Sequence, residues 1–125
     1  MNILVIDDEA SIRDLIRSWL EREGFAVFEA DNGRKGLEVH RRHSADVVIC
    51  DLIMPEQEGI ETIGHFAKEF PEVGIIAISG GGHIGAHAYL AMAQQLGAWK
   101  IFAKPLDMVA MIEAIKAWPG YRARL

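Results

Sequence analysis

The sequence predicts an α/β domain built around a parallel sheet. Two observations carry this. Short runs rich in Ile and Val alternate five times with helical patterns, the βαβ rhythm of parallel strands joined by right-handed crossovers. Charged or hydroxyl residues then stand where those runs end: Asp7 and Asp8 after the first, Asp51 after the third, Ser79 after the fourth and Lys104 after the fifth.

The first strand is Ile3 to Ile6. Ile12, Leu15, Ile16, Trp19 and Leu20 follow at i, i+3, i+4, i+7 and i+8, one apolar stripe facing a sheet, and Gly24 ends that helix as a left-handed cap. Phe25 to Glu29 is the second strand; Asp31, Asn32 and Gly33 turn the chain into a weak helix carrying Leu37 and closing near His43. Val47 to Cys50 is the third. Pro55 and Gly59 bracket a functional loop, because proline denies Met54 the helical region. Ile60, Ile63, Ala67 and Phe70 mark the third helix, weakened by about 1 kcal/mol at Gly64 and stopped by Pro71. Gly74 to Ile78 is the fourth strand, Ser79 to Gly82 a glycine-rich turn, and Ala86 to Leu96 a fourth helix closed by Gly97. Trp99 to Phe102 is the fifth strand. Lys104 and Pro105 open the last helix, whose Val109, Ile112 and Ile115 face inward before Pro119 and Gly120 break it.

Half of the 125 residues are hydrophobic, a quarter are charged, and the net charge is -5, which bounds the chain to one compact domain. The acidic balance argues against direct nucleic-acid binding, since the Arg41-Arg42 pair and the tail residues Arg122 and Arg124 are too few to displace counterions. One cysteine excludes an internal disulfide and makes a reducing cytoplasm the default compartment. No apolar stretch reaches the roughly 18 residues of a membrane span.

If the first and third strands are neighbours, their acids converge at the carboxyl edge of the sheet, where open α/β sheets keep ligands. Like charges about 4 Å apart repel by about 4 kcal/mol at an effective dielectric near 20, so the cluster needs a cation. Mg²⁺ together with Lys104 answers that need. Taken singly, each residue has a plainer reading. Asp7, Asp8 and Glu9 could satisfy a helix N-terminus, Asp51 could cap a loop, Lys104 could be a solvated charge and Ser79 a turn residue. Joint placement favours the site.

Elsewhere, Gly80-Gly81-Gly82 could form an anion nest but lacks the residues that follow a phosphate-binding loop. His83 and His87 have a metal-sharing spacing without a third ligand. His40 and His43 read as surface, Cys50 as a small buried hydrophobe, Trp19 and Trp118 as packing, and Trp99 as core or contact surface.

Four pieces in order, Val5-Ile6-Asp7-Asp8-Glu9, Asp51-Leu52-Ile53-Met54-Pro55 with Gly59, Ile78-Ser79-Gly80, and Gly97-Ala98 leading to Lys104-Pro105, give a chain that resembles the response-regulator receiver domains of two-component signalling. The resemblance implies a flavodoxin-like (βα)5 doubly wound sandwich with a five-stranded parallel sheet of order 2-1-3-4-5, and a receiver over residues 1–120 with a short tail, 121–125, and no output domain. It implies that Asp51 accepts a phosphoryl group from a phosphohistidine on a sensor kinase or phosphotransfer protein. Asp8, Asp51 and the main-chain carbonyl of Ile53 would hold Mg²⁺, with Asp7 acting through water, while Lys104 and Ser79 contact the phosphoryl group. A changed surface over the fourth helix, fifth strand and fifth helix, including His87, Lys100 and Ile101, would then meet a downstream protein or a second, phosphorylated copy.

Two positions depart from the family pattern. The aromatic residue usual three places before the lysine is Ile101, which puts an aromatic-rotamer output in doubt. Ile53 and Gly81, which would flank the acyl phosphate, offer no group to orient water, so self-hydrolysis is expected to be slow. Rival readings are a haloacid-dehalogenase-type phosphatase, which needs a second Asp at position 53, a dinucleotide-binding module, whose pyrophosphate the acids would repel, and a phosphorylation-independent adaptor.

Overall fold

The computed structural model describes residues 1–54, 58–80 and 86–121, with the side chains of residues 86, 87, 89 and 90 outside that description. Five strands alternate with five helices: β1 Asn2–Ile6, α1 Ala10–Arg22, β2 Ala26–Ala30, α2 Gly33–His43, β3 Val47–Asp51, α3 Glu58–Glu69, β4 Gly74–Ser79, α4 Ala86–Gln95, β5 Lys100–Ala103 and α5 Met108–Ala117. The strands form one parallel sheet in the expected order, β2-β1-β3-β4-β5.

Side chains alternate across a strand, and here both faces are covered, which is why each central strand reads as an uninterrupted apolar run. Ile3, Val5, Ile49 and Ile78 pack on one face against Ile16 and Leu20 of α1 and Met111 and Ile115 of α5. Leu4, Ile6, Val48 and Cys50 pack on the other, against Ile63 and Phe66 of α3 and Ala93 of α4. Gly24 and Gly97 lie at φ +89° and +106°, so the left-handed ends expected of α1 and α4 are present.

Five expectations need correction. Leu15 is 38% exposed, because the buried stripe of α1 runs through Ile16 and Leu20 and leaves Leu15 on its flank. Helix α5 begins at Met108, where the Asp107 side chain accepts from the Ala110 amide, three residues beyond Pro105. That start turns Met108, Met111, Ile112 and Ile115 inward and leaves Val109 56% exposed. His40 is buried: its Nδ1 accepts from the Ala45 amide at 3.0 Å, its ring lies edge-on to Phe66 and Phe70, and burial lowers its pKa. His43 is exposed as expected and stacks on Phe28. Trp99 belongs to the core side, with Nε1 donating to the Ala114 carbonyl.

The third helix is longer at its start than the sequence indicated, so Gly59 is helical, while Pro55 lies outside the described residues. An added Cβ at Gly59 would lie 2.0 Å from the Asp51 carbonyl oxygen, and the glycine lets α3 sit against the end of β3. A Cβ at Gly64 would meet nothing within 4 Å. Gly64→Ala is therefore expected to stabilise the fold by about 0.5–1 kcal/mol, measured as a raised urea midpoint at unchanged slope.

Candidate functional site

Register brings the acids together. Ile6 pairs with Cys50, so Asp7 and Asp51 leave neighbouring strands at the same level. Ser79 pairs with Ala103, and the Lys104 amide donates to the Ser79 carbonyl at 2.8 Å, which sets the lysine beside β4. Carboxylate oxygens of Asp7, Asp8 and Asp51 lie within 4.8 Å of one another. Lys104 Nζ stands 3.2 Å from Asp7 Oδ2, 3.3 Å from Asp51 Oδ2 and 3.4 Å from Glu9 Oε1.

Asp7 and Asp51 each have one carboxylate oxygen committed to the backbone. Asp7 Oδ1 accepts from the Glu9 amide at 2.8 Å, and Asp51 Oδ1 from the Ile53 amide at 3.0 Å. The second oxygens face the lysine. Asp7 Oδ2 is close enough to Lys104 for an ion pair yet is not aligned for a hydrogen bond, and it is buried without a hydrogen-bond partner, as is Ser79 Oγ. The Asp7 oxygen is compensated by its ion pair, whereas a buried hydroxyl without a partner costs about 1–3 kcal/mol, and Ser79 directly follows Ile78, the register partner of Asp51.

Burial, reinforced by the charge of Asp7, pushes the Asp51 carboxyl up to about 6, against the pull of the Ile53 amide and Lys104. Burial also raises Asp7. For Lys104, burial acts to lower the pKa, but Asp51 and Asp7 together outweigh it and hold the ammonium above its ordinary range. The Cys50 thiol is raised by burial and by Asp51, so it stays protonated and inert within β3.

The arrangement therefore carries more negative charge than its lysine neutralises. The donors are hard oxygens, clustered and partly unpartnered, a set that suits Mg²⁺ or Ca²⁺ rather than a thiophilic metal. Asp8 is exposed at the rim. Ile53 is 40% exposed, and its aliphatic side chain supplies no acid at the place a phosphatase of the haloacid-dehalogenase type requires one. Gly81, Gly82, His83 and the tail arginines lie outside the described residues, as does the side chain of His87. Lys100 stands over the Trp99 ring at 4.9 Å, and Ile101 is half-buried against the α3/α4 side of the core.

The sequence did not indicate two contacts. Glu9 reaches Lys104, and the Arg13 guanidinium donates to the Asp7 carbonyl at 2.7 Å while pairing with Glu29. The only available signal was the Arg13, Arg17 spacing beside the apolar stripe of α1.

Raising the Asp51 carboxyl on folding has a cost at neutral pH. A carboxyl held near 6 rather than 3.8 binds its proton more tightly folded than unfolded, so stability falls as pH climbs from about 4 to about 6. Asp51→Asn keeps the acceptor for the Ile53 amide and removes the charge. Without metal it is expected to gain about 3 kcal/mol over wild type at pH 7 and almost nothing at pH 3.5, measured by urea unfolding at both values.

Fold and site together define a doubly wound α/β domain whose switch point presents a cation-seeking carboxylate cluster with a lysine and a hydroxyl. The family model for the response regulator receiver domain matches residues 3–116. The chain is 34% identical over 114 residues to the chemotaxis protein CheY of Bacillus subtilis, covering 90% of this chain and 92% of that one. It is 28% identical over 116 residues to sporulation initiation phosphotransferase F of the same organism, covering 93% and 91%. A receiver domain protein from Clostridium thermocellum superposes with a TM-score of 0.82 at 32% identity, covering 92% of this chain and 90% of that one. A response regulator from Burkholderia pseudomallei, solved with a phosphorylated aspartic acid, a calcium ion and citrate, superposes at 0.81 with 25% identity, covering 98% and 69%. The chain belongs to the response-regulator receiver family, whose members are phosphorylation-dependent switches of two-component signalling. Among the described residues no helix is long and apolar enough to cross a membrane.

Proposed function

We propose that Asp51 is the phospho-acceptor. One observation carries the reading: Asp51 Oδ2 lies 3.3 Å from Lys104 Nζ in the carboxylate cluster with Asp7 and Asp8, with the buried hydroxyl of Ser79 on the neighbouring strand. In this reading an oxygen of the Asp51 carboxylate attacks the phosphorus of a phosphohistidine on a sensor kinase or phosphotransfer protein. The O–P bond forms, the P–N bond breaks, and the imidazole leaves with the electron pair, to be protonated by solvent. Phosphoryl transfer asks mainly for alignment and charge neutralisation. Lys104 would hold an equatorial oxygen, exchanging its ion pairs with Asp7 and Glu9 for the phosphoryl group. Ser79 Oγ would donate to another.

Mg²⁺ would be held by Asp8, Asp51 and the Ile53 carbonyl, with Asp7 behind a water, and when bound it would neutralise phosphoryl charge opposite Lys104. The Burkholderia relative carries a phosphorylated aspartate and a divalent ion, which supports the pairing of group and metal. The domain would work in the cytoplasm over residues 1–120, turning over nothing but its own acyl phosphate. It would signal through the α4, β5 and α5 face, where Lys100 and Ile101 lie.

The test is incubation with Mg²⁺ and acetyl phosphate followed by intact mass measurement. One added phosphoryl in wild type, absent in Asp51→Asn and after chelation of the metal, is the expected result. No addition to wild type would leave a phosphorylation-independent adaptor instead. Ile53→Asn is expected to shorten the phosphoryl lifetime about tenfold, followed by loss of the added mass with time, since an amide there can orient water; an unchanged decay would reject that role for position 53.

A further inference from the structure

We infer that Arg13 is a positioning residue that aims Asp8 at the cation site, an inference that rests on the reading of Asp8 as a metal ligand. Asp7 is fixed on several sides. Its amide donates to the Ala30 carbonyl at 3.2 Å, its Oδ1 accepts from the Glu9 amide, and its carbonyl accepts from Arg13 Nη1 at 2.7 Å. The Asp8 carboxylate, exposed, has no hydrogen bond among the described residues. A peptide is a rigid plane, so holding the Asp7 carbonyl fixes the Asp8 amide and Cα from which that side chain starts, and narrows the directions its rotamers can reach.

Arg13 is itself held. Its Nε pairs with Glu29 Oε1 at 3.1 Å, while Arg17 Nη1, one turn further along α1, takes Glu29 Oε2. Glu29 lies on β2 in register with Val5 of β1, so the guanidinium is braced against both strands and its own helix. The Arg13 side chain is 19% exposed. A planar fork with separated donors spans carbonyl and carboxylate at once, and a lysine ammonium cannot do so with the same geometry.

Charge alone predicts the opposite of positioning, and this makes the inference testable. Arg13 is a cation beside a site that takes cations, so deleting its charge should tighten Mg²⁺ binding if electrostatics governs. Positioning requires that binding weaken. Mg²⁺ affinity is measured by titration calorimetry for wild type, Arg13→Met, Arg13→Lys, Arg17→Met and Asp8→Asn, each checked for folding by its metal-free thermal transition. Arg13→Met is expected to bind about tenfold more weakly, the order found when a group supporting a metal ligand is lost. Arg13→Lys keeps the charge and should weaken binding too, and it serves alone if the methionine variant does not fold. Arg17→Met leaves the Arg13 contact to the Asp7 carbonyl in place and should weaken binding less than Arg13→Met does. Unchanged or tighter binding in the folded Arg13 variants would overturn the inference. If Asp8→Asn binds Mg²⁺ as wild type does, the reading of Asp8 fails first; if it weakens binding and the Arg13 variants do not, only the positioning role falls.

Discussion

Gly59→Ala is expected to destabilise the domain by about 3 kcal/mol and to reduce acceptance of a phosphoryl group at Asp51. A Cβ at position 59 would come within 2.0 Å of the Asp51 carbonyl oxygen and 2.7 Å of the Leu52 Cα. Both are backbone atoms, so no side chain can rotate away, and relief requires α3 to withdraw from β3 or the strand end to shift. Overpacking of this kind costs about 1–3 kcal/mol when a core can adjust, and a backbone clash lies at the upper end. The strand end that would shift carries Asp51, the proposed acceptor. Urea unfolding reads the first consequence and intact mass after acetyl phosphate the second. A Gly59→Ala protein with wild-type midpoint and phosphorylation would show that the helix has room the geometry denies.

Lys104→Met is the second large effect. It removes the ammonium that stands within 3.4 Å of Asp7, Asp51 and Glu9 and leaves the buried Asp7 and Asp51 facing each other without compensation. Losing one partner of a buried charge set costs about 3–5 kcal/mol. Because the lysine side chain is still 14% exposed, about 2 kcal/mol is expected at pH 7 without metal. The loss should shrink toward pH 4, where Asp51 takes up a proton. Millimolar Mg²⁺ should stabilise Lys104→Met more than wild type, since the ion would then be the cluster's main counter-charge. Equal stabilisation of both proteins by Mg²⁺ would mean that lysine and metal do not share the same carboxylates.

The parts of the molecule that could be read in advance are those written along the chain. Each strand is a contiguous apolar run because both faces of the sheet are buried, and each acid or lysine of the site directly follows such a run. Side-by-side placement of β1 and β3 then supplied the convergence. What escaped depends on helix phase and side-chain reach. Leu15 and Val109 sit in apolar patterns, but a spacing does not say about which residue the buried stripe is centred. Gly33, Gly36 and His40 form the buried face of α2, and with so little apolar bulk on it His40 looked like one more exposed base. The Asp107 cap was present in the letters, and the preceding proline drew the helix start too early. Arg13 reaching the Asp7 carbonyl is a matter of length and angle, for which sequence has no notation.

Glu58, at the start of α3, accepts from the amides of Gly33 and Arg34 at the start of α2, and a Cβ on Gly33 would collide with Thr62 Oγ1 at 1.8 Å. The two helices are thereby riveted at the end nearest Asp51, with no slack between them. Across the sheet at the exit of β4, Ser79 Oγ is unlatched. By contrast, moving the start of α3 away from the sheet means breaking the Glu58 contacts to α2 as well.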